Sequence, residues 1–321
     1  MRPRTDWIRA LNRYSLLIGI LLAAVVFSPD PGVSRASSAI HDFAHAPIFG
    51  CVALLLLQWL RPQVFARTWS VATHYLVAFS IAVVLGAATE IAQMFAHRDA
   101  SWVDLRSDTL GALAFCGVYT ILDQRVSRSA VRFVGVIGGA LLLVWHSIPV
   151  VRVTFAYLHR NQDFPSLIDA RDARADDFAK VFRAEGEYAR LPTRFAEVDG
   201  ERALHMRFGT EDWVGLDLDE PYPDWSNFGT LAMDLTNPNE SMLDVSIRVH
   251  DRTHNWAFAD RFNRTYRLAP QSRTTVRVPL LEIERAPLGR RLNLQHVANF
   301  QLFTSGVNAG RELYVSRIWL E

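Results

Sequence analysis

Lysine is almost absent from this sequence: Lys180 stands alone among 34 basic residues in 321, and the others are arginine. The skew is a compositional habit from which no function is read. Cysteine is scarce too. Cys51 and Cys116 are the only two, each inside an apolar run, which argues against a disulfide framework and against a cysteine metal site. Excess charge is also missing. The formal net charge is +1 at pH 7, so broad electrostatic capture of nucleic acid is not expected. No phosphate-binding glycine loop or nucleophile motif is legible.

What the chain has instead is apolar length, concentrated in its first half. Five runs approach the roughly 20 residues that a helix needs to cross a bilayer. They are Leu11–Phe27, Phe43–Leu60, Val71–Phe95, Leu110–Leu122 and Val131–Val151. The fourth is long enough only if it begins near Asp104. The first follows the basic stretch "MRPRTDWIRALNR" but lacks a small-residue cleavage site, so it is read as an uncleaved span rather than a signal peptide. Arginines gather in the N-terminal tail and in the loops after the second and fourth runs. That bias predicts a cytoplasmic N-terminus in a bacterial inner membrane. Five spans would then deliver the second half outside the cell.

Polar residues interrupt this pattern at two places on the same predicted outer side. "IHDFAHAPIFG" opens the second run with His41, Asp42 and His45. "TEIAQMFAHRDASWVDLRSDTLGALAF" joins the third run to the fourth and carries Glu90, Gln93, Arg98, Asp104 and Asp108. Helical spacing puts His41 beside His45, Glu90 beside Gln93, and Asp104 beside Asp108 and Gly111. Three helix ends can thus aim carboxylates and imidazoles at one outward-open site. Ionisable groups at membrane depth mark ligand sites, ion paths or mutual pairing. Three uses are consistent with the set: a hydrogen-bonded tie between helices, a site for a polar lipid head group or sugar-phosphate, and catalysis. The catalytic form would use an acid–base pair, or a divalent metal on His41, His45, Asp42 and Glu90. Gly86 to Thr89, Gly111 and Gly117 are small residues of the kind that let membrane helices approach closely.

The order Glu90-x-x-Gln93, Arg98, Ser101, Asp104, Gly111, preceded by an Asp and a His opening a span, resembles the VanZ-like membrane proteins over about Asp42 to Gly117. The resemblance implies a role in bacterial envelope biology, including a family link to glycopeptide antibiotic resistance, without naming a reaction. Two positions depart from the family pattern. Asp42 and His45 are separated by two residues where the family usually has three, and Asp108 stands where asparagine is usual.

After Val151 the pattern changes, with residues 152–167 read as a linker. A short helix is expected near Ala175 to Phe182. Beyond Arg202, period-two alternation predicts strands at "ALHMRF", "TLAMDL", "LDVSIRV", "NWAFADRF", "TTVRVPL", "NFQLF" and "LYVSRIWL", separated by turns such as "NPNES" and "APLGR". The expected architecture is therefore multi-domain: an α-helical transmembrane bundle at 1–151, followed by an all-β sandwich. From Ile168 to Glu321 the order of these motifs resembles galactose-binding-like jelly rolls, which implies a jelly-roll sandwich at 168–321. That group includes carbohydrate-binding modules and the complex I assembly factor relatives.

Trp225, Asp251, His254, Trp256 and Asp260 are the candidate glycan contacts, the rings for stacking and the polar groups for sugar hydroxyls; Trp213 is a further aromatic candidate, and filling the core or bracing loops is the alternative for Trp225 and Trp256. Trp319, in the last strand, is expected in the core. "DRFN", from Asp260 to Asn263, is read first as an internal Asp–Arg pair fixing a loop. No cofactor is identified, although the jelly-roll resemblance allows a structural calcium ion. The expected partners are the bilayer and an envelope glycan or lipid-linked saccharide. An enzyme acting on a lipid-linked phosphate or sugar, and a sensor or scaffold for another protein, are the alternatives.

Overall fold

The computed structural model describes residues 4–28 (side chains from Arg13 onward), 34–95, 100–171 and 177–321. It divides into two compact units, Met1–Thr154 and Phe155–Glu321.

The first unit contains helices α1 (Arg4–Val26), α2 (Arg35–Leu60), α3 (Val71–Phe95) and α4 (Trp102–Tyr119), and most of α5 (Ser129–Asp163). By length and composition α2, α3 and α5 can cross a membrane. The apolar part of α1 is shorter, and α4 has 18 residues. Phe49, Val52, Leu56 and Leu57 of α2 pack on Ala78 and Ala82 of α3 and on Ala112 and Cys116 of α4. Small residues set the spacing. A Cβ at Gly111 would lie 1.9 Å from the Ala46 carbonyl oxygen, and one at Gly50 would lie 2.4 Å from the Phe115 ring. The backbones of α2 and α4 touch at Gly111 because glycine stands there, and at Gly50 the missing side chain leaves room for the Phe115 ring. Along α5, Leu141 and Val144 expose most of their surface, as apolar side chains facing lipid would.

At the ends of these helices away from His45, an ion-pair clamp closes the unit. Asp123, in the loop after α4, accepts from Arg61 Nη2 at 2.7 Å, Arg125 Nη2 at 2.9 Å and the Tyr75 hydroxyl at 3.1 Å. Burial alone would raise the Asp123 pKa, but the hydrogen bonds from Arg125 and the charge of Arg61 outweigh it and hold the carboxyl at about 2. A carboxyl depressed on folding stabilises the fold above its unfolded value of 3.8, and that gain is lost as pH falls through about 2. Asp123→Asn should therefore lower the melting temperature at neutral pH. The gap from the parent chain should close as pH falls from about 4 to about 2, as thermal scans in detergent across that range will read.

The second unit is a β-sandwich. Its strands are β1 (Ser166–Asp169), β2 (Ala179–Phe182), β3 (Ala184–Arg190), β4 (Arg202–Phe208), β5 (Val214–Asp219) and β6 (Thr230–Asn237). They continue with β7 (Leu243–Asp251), β8 (Phe262–Leu268), β9 (Ser272–Pro279), β10 (Val297–Thr304) and β11 (Glu312–Leu320), and a short helix α6 (Leu280–Glu284) follows β9. One sheet has the order β3-β4-β11-β6-β9 with β1 also on β11; the other runs β2-β5-β10-β7-β8. Every pairing is antiparallel. Alternation explains the layers. In β7, Leu243, Val245, Ile247 and Val249 are buried, while Asp244, Ser246, Arg248 and His250 between them face outward. The inner side chains of both sheets, with Phe300, Met206, Met233 and Trp225, fill one core.

Four expectations change. Residues 152–167 are not a linker, since α5 continues to Asp163 and β1 begins at Ser166. The helix expected near Ala175 to Phe182 is strand β2 over Ala179–Phe182, paired to β5; residues 172–176 lie outside the described set. Its apolar spacing is that of an edge strand with one covered face. "NWAFADRF" is a loop with a 3-10 turn at Phe258–Asp260, and its strand starts at Phe262. Trp319 is not in the core. A register shift between Val315 and Arg317 changes the face of the strand's last residues, leaving Ile318 and Leu320 buried and Trp319 half-buried under the Arg317 guanidinium at 4.8 Å.

Candidate functional site

In the helical unit, sequence-distant polar residues meet where α2, α3 and α4 cross. His45 is buried, and its Nδ1 lies 2.9 Å from Asp108 Oδ1; its Nε2 lies 3.9 Å from Asp104 Oδ2. Asp104 and Asp108 are one turn apart on α4, so both face the same imidazole. Glu90, near the end of α3, accepts the Ser101 backbone N–H at 2.7 Å. Ser101 caps α4 by accepting from the Asp104 N–H at 3.2 Å, which orients the first turn and its carboxylate. Gln93 donates to the Val25 carbonyl at 3.3 Å, tying α3 to α1. The Oδ2 of Asp108 lies over Gly86, where a Cβ would come within 2.8 Å. His45, Glu90, Gln93, Asp104 and Asp108 are all buried, and Asp42 is half-buried. Arg98 lies outside the described residues. His41 joins the group from one turn before His45, with ring centroids 5.2 Å apart.

The proposed glycan contacts of the sandwich fare differently. Trp225 has no exposed surface and donates its indole N–H to the Tyr222 carbonyl at 2.7 Å. A ring with no open face cannot stack on a sugar, so it is a core residue. Asp251 and Asp260 are buried around Arg290, whose Nη1 reaches Asp251 Oδ2 at 2.6 Å and whose Nη2 reaches Asp260 Oδ2 at 3.0 Å. Arg290 Nε also donates to Asp260. Asp251 accepts the Asn293 N–H at 2.7 Å as well. The bond from Arg290, then the Asn255 N–H, hold the Asp260 carboxyl well below the usual range. Burial pushes Asp251 up, but bonds from Arg290 and Asn293 bring it below the ordinary value. Arg290 thus neutralises both buried aspartates. This is the internal Asp–Arg pairing expected of Asp260, with an arginine outside the local motif. The His254 side chain is buried against Asp260. Of the five, Trp256 is the one with an open ring, at 81% exposed.

Another set of side chains faces solvent on the β2-β5-β10-β7-β8 sheet. Lys180, Asp217, Gln301, Arg248 and Asn263 stand opposite one another in register across all five strands. At a strand spacing of about 4.8 Å the row is about 19 Å long. Arg248 donates to Gln301 at 2.9 Å, and Asn299 donates to Asp217 at 2.7 Å. Aromatic rings bound the row on both sides. Two residues along β10, Phe303 carries Trp213, ring centroids 5.2 Å apart. In the other direction His250 packs on His254 and Trp256, at 4.6 and 6.0 Å. Burial lowers the His250 pKa, which favours a neutral ring. Trp213 and Trp256 are both exposed and both held at positive φ, 60° and 67°. That backbone costs about 1–2 kcal/mol for a residue with a Cβ, and strain of this kind gathers at ligand sites. Of the row, Arg248 is signalled locally in the sequence, in the polar half of "LDVSIRV" opposite the core; the other four lie in other strands.

No family model matches the chain, so the VanZ-like resemblance expected over about Asp42 to Gly117 gains no support, and no curated protein matches it. Solved structures similar to part of it include an exo-beta-agarase, at 14% identity and a TM-score of 0.40 over 49% of this chain and 24% of that one. They also include a family 11 carbohydrate-binding module from Clostridium thermocellum in complex with a beta-1,3-1,4-mixed-linked tetrasaccharide, at 13% identity and a TM-score of 0.36, over 48% of this chain and 93% of the module. The xylan-binding domain from CBM 22 matches at 7% identity and a TM-score of 0.34, over 48% of this chain and 90% of the domain. The chain thus spans about a quarter of the agarase's length. At such identities and TM-scores the likeness decides nothing about a ligand. The side chains on the open sheet face carry that question.

Proposed function

We propose that the chain is a membrane-anchored saccharide-binding protein of the bacterial envelope, with its N-terminus cytoplasmic and its β-sandwich outside. The observation that carries this reading is the polar row on the five-stranded sheet between two exposed tryptophans. A saccharide offers hydroxyls that both donate and accept, and C–H faces that pack on rings. Gln301 and Asn263 can do both, Arg248 and Lys180 donate, and Asp217 accepts. Trp213 and Trp256 supply the apolar faces. The apolar helices α2, α3 and α5 support the membrane anchor. An envelope glycan, or the sugar portion of a lipid-linked saccharide, is the ligand class that suits both features.

The test is an array of envelope saccharides probed with the full chain in lipid nanodiscs, followed by calorimetry on the best binder. Arg248→Ala should weaken binding at least about tenfold, the loss expected for a charged hydrogen-bond donor. Trp256→Ala should weaken it about three- to tenfold, with no change in melting temperature, because the ring is exposed. Absence of binding to every saccharide, or unchanged affinity in both variants, would refute this assignment.

A further inference from the structure

We propose that His41, Nε2 of His45 and Asp104 form a binding site for one divalent transition-metal ion, with Asp108 as the residue that orients His45. The assignment is independent of saccharide binding by the sandwich.

Two helices present the donors in matching pairs. His41 and His45 are one turn apart on α2, and Asp104 and Asp108 are one turn apart on α4. The contact between Gly111 and Ala46 holds these helices at backbone distance. His41, His45 and Asp104 each offer a ligand atom within 4.8 Å of the other two, and the His45 Nε2 to Asp104 Oδ2 separation is 3.9 Å. A tetrahedral ion with bonds of about 2.0–2.2 Å needs donors about 3.3–3.5 Å apart. Small side-chain rotations close that difference.

Three observations favour an ion here over a plain helix tie. First, 3.9 Å is too long for a hydrogen bond, and Asp104 Oδ1 is buried with no hydrogen-bond partner. The residue is 4% exposed, so among the described residues its carboxylate is aimed at the group without a donor to satisfy it. Second, His45 already has the second contact that metal-bound histidines make. Its Nδ1 is 2.9 Å from the Asp108 carboxylate; an N–H donated there leaves Nε2 as a lone pair on the side of Asp104. Third, His41 is half-buried while the other two ligands are buried, which gives an ion an entry path and leaves a coordination position open, as in sites with three protein ligands.

A second grouping, His45 with Glu90 and Asp108, is equally compact. In it Asp108 already bonds His45 Nδ1 at 2.9 Å, and a carboxylate oxygen of Glu90 already accepts the Ser101 N–H at 2.7 Å. The Nε2 side is therefore assigned.

The test is metal binding by the full chain in detergent, stripped with a chelator and titrated with zinc, with bound metal counted per chain. One equivalent is expected. His41→Ala and Asp104→Asn should each weaken binding at least about tenfold, and Asp108→Asn about 10- to 100-fold. Thermal scans without metal identify any variant that has failed to fold. Cobalt(II) added to the unmutated chain reads the site without mutation, and an intense visible band is expected from four-coordinate nitrogen and oxygen donors. No stoichiometric zinc and no cobalt band would overturn the proposal. So would zinc binding that survives Asp104→Asn but is lost in Glu90→Gln, since the ion would then occupy the other grouping.

Discussion

Arg290→Ala should lower the melting temperature of the β-sandwich by about 6–12 °C, more than any single exposed-face change in that unit. The reason is what the change leaves behind. Asp251 is 1% exposed and receives a two-pronged contact from Arg290, at 2.6 and 3.0 Å. Removing one partner of a buried pair leaves an uncompensated charge, at a cost of about 3 kcal/mol toward the lower end for such pairs, because the Arg290 side chain keeps some solvent contact. For a unit of this size each kcal/mol shifts the melting temperature by about 2–4 °C. Tryptophan fluorescence during heating of the full chain reads the change, because Trp225 sits in the same core. Adding Asp251→Asn to the alanine variant should recover part of the loss. A shift under about 2 °C would mean that Asp251 is satisfied by the Asn293 N–H and by Thr253, whose N–H and hydroxyl also donate to it at 3.2 and 3.0 Å.

Gly111→Val should be the most damaging change in the helical unit. A Cβ there would sit 1.9 Å from a backbone oxygen, and a backbone cannot swing aside as a side chain can. Relief requires α2 and α4 to separate by about 1.5 Å against a close-packed interface. Overpacking of this kind costs about 1–3 kcal/mol or more. It would also pull His45 from Asp108, now 2.9 Å apart. The expected result is loss of a monodisperse peak in detergent chromatography, with Gly111→Ala intermediate. A fully folded, metal-binding valine variant would show that the helix contact is looser than its geometry implies.

How far the sequence reveals these features depends on distance along the chain. Apolar runs near 20 residues are local, so α3 is read to the residue and α2 to its end at Leu60; α2 begins at Arg35, ahead of the apolar run at Phe43, because its first two turns are polar. The β7 alternation is equally local, and every inward residue expected there is buried. The helical pairings at His41/His45 and Asp104/Asp108 follow from one-turn spacing. Which nitrogen faces which carboxylate does not, because that depends on how α2 crosses α4. Arg290 is 39 residues from Asp251 and 30 from Asp260, and no local pattern links them. Trp225 carries neighbours typical of a loop, which leaves an open ring and a core ring equally consistent with the sequence; the chain folds it inward to donate to Tyr222. The polar row is written in five separate strands, and its alignment exists only once β2, β5, β10, β7 and β8 have paired.

The scarcity of lysine has a practical consequence once the fold is known. Lys180 is exposed on the edge strand β2, at the head of the polar row, opposite Asp217. It is the only side-chain primary amine in the sequence. An amine-reactive dye or crosslinker therefore tags the unmutated side chains at one known position, at the margin of the face assigned to ligand. Shielding of that tag by a bound oligosaccharide would map occupancy of the row without altering a residue. A short crosslinker fixed there would covalently record whatever molecule lies beside it.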